Sequence, residues 1–130
     1  MQTSTQAWAG AALLAYAGLA GAFGVGLAAA GAHGSDLSTL TAPAHFLIMH
    51  AAAAIALVAV ATRLPHPGAF LLSALVLLVG VSLFSGDIAM RAFVGERLFP
   101  MAAPTGGTAM IVGWLMVALS GAWQLFRQRG

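Results

Sequence analysis

The chain has no cysteine and no lysine, and only 6% of its 130 residues are charged. Without cysteine there is no disulfide framework, no thiolate metal site and no thiol nucleophile. Without lysine there is no Walker phosphate loop, so the glycine-rich "TGG" after Pro104 reads as a helix start with little steric bulk. The scarcity of charge excludes most. A water-soluble domain with 61% hydrophobic residues and eight ionised side chains lacks the polar surface to cover itself. The five arginines are scattered among loops and the tail and form no basic stripe, which argues against nucleic acid as a partner. No constellation of nucleophile and base is visible.

What is present is long apolar runs. A membrane helix needs about 20 consecutive apolar residues. Four segments qualify: Ala7 to about Ala32, Pro43 to Thr62, Gly68 to Gly86, and about Thr105 to Phe126. "AHGSDLSTLTAP" separates the first two, with Gly34, Ser35, Asp36 and Pro43 as turn and cap residues. The two prolines of "RLPHPG" turn the chain between the second and third. In the long third connection, "IAMRAFV" is expected to form a short interfacial helix. A cleaved signal peptide is not expected, because "MQTSTQ" carries no positive charge and the following apolar run is too long. The expected architecture is an all-α, four-helix transmembrane bundle occupying residues 1–130 as one domain.

Lipid removes the hydrophobic drive between helices, so association depends on close backbone approach and interhelical hydrogen bonds. In the first span Gly18, Ala22, Gly26 and Ala30 recur every four residues, with Gly24, Ala28 and Ala32 beside them. In the fourth, Gly106, Gly113 and Ser120 stand at heptad spacing. These are the expected packing positions, against a neighbouring helix or another subunit. Arg63, Arg127 and Arg129 fall on the side of the termini, and Arg91 and Arg97 on the other. The positive-inside rule then places the termini in the cytoplasm. Trp8 and Trp123 fall near the same surface, as interfacial aromatic residues do.

Histidines are the chemically notable residues. His45 and His50 are about 140° apart around a helix, which hinders joint ligation of one metal. His66 lies in a turn on the opposite surface. His33, His45 and His50 share one membrane face with Asp36, Asp87, Arg91, Glu96 and Arg97. Such a collection supports three readings: a copper or haem site, a small polar cavity for a solute or proton, or groups that cap helix ends and satisfy one another. Ligand spacing is missing, so the last is preferred and no cofactor or metal is assigned. His50 is the deep one. Ser82, Ser85 and Asp87 of the third span lie at similar depth and are its expected partners, while His45 points to the interface. His33, His50, Ser82, Ser85 and Asp87 make up the candidate polar site.

The motifs "GVGLAAAGAHG", "HFLIMHAAAAIAL", "LFSGDIAM" and "APTGGTAMIVGW" together resemble, in the same order, a family of small bacterial inner-membrane proteins known as domain of unknown function 423. The resemblance implies a four-helix inner-membrane protein and no established activity. It marks Gly31, Ala32, His33, Phe46, His50, Ser85, Gly86, Pro104, Gly106, Gly107, Gly113 and Trp114 as motif positions. Asp87 departs from the family pattern, as does the proline position in "APTGG". The expected role is a non-enzymatic accessory or scaffold subunit of a larger membrane complex, or a small homo-oligomer. The alternatives are a transporter or channel using the face near His33, His50 and Asp87, and a copper- or haem-binding redox module.

Overall fold

Thr3 starts the first helix with a capping box. Its Oγ1 accepts from the Gln6 amide at 3.3 Å, and Gln6 Oε1 accepts from the Thr3 amide at 3.1 Å. In the computed structural model, which describes residues 3–129, α1 then runs Ser4–His33. Met1, Gln2, Gly130 and the side chain of Ser35, including its expected capping role, lie outside the described residues. A 3-10 turn over Ser35–Leu40 leads into α2, Thr41–Ala61. Helix α3 covers Gly68–Val94 and α4 covers Ala102–Arg127. All four are long and apolar enough to cross a membrane.

The third helix is longer than its apolar run suggests. The "IAMRAFV" segment does not form a separate interfacial helix but extends α3 without a break. Asp87 and Arg91 pair one turn apart on it and stabilise the helical continuation. Termination waits for Gly95, whose φ of 81° is the left-handed C-terminal cap that glycine adopts without a Cβ penalty. Met101, before α4, holds a similar φ of 67° with a side chain attached.

Packing is sequential. Helix α1 lies along α2, α2 along α3 and α3 along α4, and α1 also touches α3. Among the described residues α4 packs along α3 alone and meets no backbone of α1 or α2. The bundle is therefore open between its first and last helices. Its core gathers Leu13, Ala17 and Ala20 of α1, Leu47, Ala51 and Ala54 of α2, and Leu77, Leu78 and Val81 of α3.

The seams repeat at alternating three- and four-residue steps. On α1 the buried residues are Gly10, Leu13, Ala17, Ala20 and Gly24. A Cβ on Gly24 would stand 2.8 Å from Ile48 Cγ1 and 3.1 Å from the Ala44 carbonyl oxygen. The four-residue stripe is not this seam. Gly18 and Gly26 have nothing within 4 Å of where a Cβ would stand, and Ala22 is exposed while Ala30 is only half-buried. The reason is phase: strict four-residue steps drift around a helix of 3.6 residues per turn, whereas alternating steps hold one face. On α4 the buried residues after Ala102, namely Ala103, Gly106, Met110, Gly113 and Gln124, follow the alternating register. Gly106 meets Gly80 of α3 backbone to backbone. A Cβ on Gly106 would stand 2.5 Å from the Gly80 carbonyl oxygen and from the Phe84 nitrogen. A Cβ on Gly113 would stand 2.7 Å from Leu77 Cδ2. Ser120, expected on the same seam, is half-buried.

Candidate functional site

The polar side chains of the inner bundle form pairs that bridge helices. His50 is buried on α2, at 3% exposure. Its Nδ1 lies 2.8 Å from the Phe46 carbonyl oxygen, and its Nε2 lies 3.2 Å from Trp114 Nε1 on α4. A carbonyl only accepts and an indole N–H only donates. Nδ1 therefore carries the proton, Nε2 accepts from Trp114, and the ring is the neutral Nδ1–H tautomer. Both ring nitrogens are engaged, Nδ1 as donor and Nε2 as acceptor. Phe46 stacks on the imidazole at 5.8 Å between centroids, Trp114 meets it edge-on at 6.0 Å, and Phe84 of α3 tilts against Phe46 at 5.2 Å.

The partner of His50 is thus Trp114, and the expected bond to Ser82, Ser85 or Asp87 does not form. Each of those three is committed elsewhere. Ser85 Oγ, buried, donates to the Pro43 carbonyl oxygen of α2 at 3.0 Å. Ser82 Oγ lies 2.7 Å from the Tyr16 hydroxyl of α1, and that hydroxyl donates to the Leu78 carbonyl oxygen at 3.1 Å. With the tyrosine proton directed to Leu78, Ser82 is the donor of the pair. Asp87 is fully buried and accepts from Arg91 and, at 2.9 Å, from the Leu98 amide in the connection to α4. One carboxylate so fixes both the end of α3 and the loop that follows.

The outer polar residues do not join this layer. His33 is exposed and its Nδ1 donates to the Ala29 carbonyl oxygen of its own helix at 2.8 Å. His45 is exposed on α2. Among the described residues no three histidine, aspartate or glutamate side chains are grouped to hold a metal ion. At the opposite end, Arg127 Nη1 donates to His66 Nε2 at 2.9 Å, and the guanidinium lies 4.6 Å from the Trp123 ring centroid.

Sequence reasoning did not identify Trp114, Tyr16 or the Leu98 amide as partners. A signal existed for the first two: an indole N–H or phenol hydroxyl set deep in an apolar helix needs a hydrogen-bond partner. The Leu98 amide carried none. The arrangement braces the helices chemically and geometrically: Tyr16–Ser82 joins α1 to α3, Ser85–Pro43 joins α3 to α2, and Trp114–His50 joins α4 to α2 across the face of α3. Beside these braces, two apolar grooves of about 450 and 520 Å³ run between α1 and α3. Tyr16 lines both, and Ser82 and Ser85 line the larger.

No solved structure matches the chain. A family model does, over residues 20–107. That segment contains His33, Phe46, His50, Ser85, Asp87 and Gly106, and ends before Gly113 and Trp114. The matched segment thus holds one side of the His50–Trp114 bond, and the Tyr16 hydroxyl also lies outside it. With most of its length matched, the chain belongs to the family described as protein of unknown function, DUF423.

Proposed function

We propose that this protein is a non-enzymatic accessory or scaffold subunit of the inner membrane, docked on a larger membrane complex or on copies of itself, with both termini in the cytoplasm. The observation that carries this reading is the open bundle. The backbone of α4 lies along α3 alone, with the Trp114 side chain reaching α2, and α1 turns the stripe of Gly18, Ala22 and Gly26 outward, where nothing of this chain lies within 4 Å of a Cβ placed on Gly18 or Gly26. Small residues on an outward helix face permit close helix approach in lipid. The inner polar residues support the same role, since His50, Ser85 and Asp87 are spent on bracing the helices.

The test is native co-purification in mild detergent, comparing wild type with Gly26→Leu. Because the Gly26 site is open within the chain, the substitution leaves the monomer intact and disturbs only an external contact. The expected outcome is a defined larger assembly for wild type that is lost in the variant. Wild type running as a lone monomer, with no co-purifying protein, would refute the subunit role. Saturable solute flux in proteoliposomes, abolished by His50→Leu but not by His45→Ala, would favour the transport reading instead.

A further inference from the structure

At the membrane face nearest the chain termini the Asp, Glu and Arg side chains are of one sign only. It carries Arg63 after α2, and Arg127 and Arg129 at the end of α4, while the three carboxylate side chains of the sequence, Asp36, Asp87 and Glu96, all belong to the opposite face. Among the described residues the ion pair formed is Arg91–Asp87, on that opposite face. One of the three arginines is held in place. Arg127 donates from Nη1 to His66 Nε2 at 2.9 Å and stacks over Trp123, whose ring also meets His66 edge-on at 5.2 Å. The imidazole occupies one guanidinium donor and the indole covers one face, so the remaining N–H groups are aimed without being neutralised. One turn back, Gln124 is buried on the side toward α3, and its Nε2 has no acceptor among the described residues.

We propose that this corner, formed by Arg127, His66 and Trp123 with Arg63 on the adjoining turn, binds the phosphodiester headgroup of an anionic phospholipid. Charge complementarity selects the occupant. A fixed guanidinium at the end of a membrane-spanning helix, with further arginines nearby and no Asp or Glu side chain in the same segments, takes its counter-charge from the lipid surface. Trp123 sits at headgroup level, as tryptophan does at membrane interfaces. The inference depends on the four helices spanning a bilayer and is independent of whether the protein is a subunit of a larger assembly.

The experiment uses the full chain reconstituted in phosphatidylcholine vesicles and in vesicles with added phosphatidylglycerol. Resistance to alkaline extraction reports insertion, and native mass spectrometry of the detergent-extracted protein reports retained lipid. The expected result is insertion in both vesicles with preferential retention of phosphatidylglycerol. That preference should fall about fivefold for each arginine removed in Arg63→Gln and Arg127→Gln, equivalent to about 1 kcal/mol per charge. Arg97→Gln, on the face that also carries the carboxylates, should leave it nearly unchanged. Both test arginines are exposed, so the variants keep the fold, and insertion is read on each. Equal retention of the two lipids, a preference unmoved by the double variant, or displacement of the lipid by millimolar inorganic phosphate or an acidic peptide would overturn the proposal. Failure to insert in either vesicle would overturn the bilayer reading and the proposal with it. Insertion without preference would overturn the proposal alone.

Discussion

Replacing Gly106 with alanine adds one methyl group at the point where α3 and α4 touch. The new Cβ would lie 2.5 Å from the Gly80 carbonyl oxygen and the Phe84 nitrogen, whereas carbon and oxygen normally approach to about 3.3–3.6 Å. Both obstacles are backbone, so no side chain can rotate away. The helices must part by roughly 1 Å, and a gap of that size forfeits a quarter to a half of the dispersion energy across it. The Trp114–His50 bond, at 3.2 Å, is near its geometric limit and would break as α4 withdraws. Overpacking costs about 1–3 kcal/mol and a lost interhelical hydrogen bond in a membrane about 0.6–2 kcal/mol. The alanine regains up to about 1 kcal/mol of helix propensity. A net loss of about 2 kcal/mol remains, a fall of roughly 5–10 °C in melting temperature for a chain of this size. Heating in detergent followed by size-exclusion chromatography reads it. Gly26→Ala is the matched control. It gains the same propensity with nothing within 4 Å and should be neutral or slightly stabilising. A Gly106→Ala protein as stable as wild type would refute the backbone-to-backbone approach of α3 and α4.

Trp114→Phe keeps an aromatic ring, though a smaller one, and removes the donor to His50, so it should cost about 0.6–2 kcal/mol in the same heating assay. His50→Leu should destabilise to a similar degree by leaving the Trp114 N–H unpaired. Asp87→Ala removes the acceptor of the Leu98 amide and the partner of Arg91. Hydrogen exchange at Leu98 should accelerate sharply, with an overall loss of about 1–3 kcal/mol. Met101→Asn should stabilise by about 0.5–1 kcal/mol, because asparagine tolerates the left-handed conformation better, as a higher melting temperature would show. A reporter fused after Gly130 should be active in the cytoplasm, and activity confined to the periplasm would reverse the proposed orientation.

Span number and element type were legible in the chain itself. Four apolar runs long enough for a bilayer, separated by proline, glycine and charge, leave few alternatives, because a polar backbone in lipid must bond to itself within a helix. The depth of His50 was equally legible, as was its need for a partner, since both follow from position along a helix. The end of α3 was not. Its extension through "IAMRAFV" depends on Asp87 being buried and tied to both Arg91 and Leu98, and the second of these contacts is made by a loop that returns only in three dimensions. Likewise the small residues of α1 announced a close contact without naming its face. Gly24 rather than Gly26 lies against α2, because the alternating seam set by Leu13, Ala17 and Ala20 determines the rotation of the helix. The partner of His50 was decided in the same way. Ser85 was near in depth but turned to the Pro43 carbonyl. Trp114, 64 residues away in sequence, reached His50 because Gly80 and Gly106 let α4 settle directly on the backbone of α3. Periodicity and hydropathy act along one helix and can be read from its residues. The angle at which two helices meet, and therefore which polar groups find each other, is a property of the packed pair.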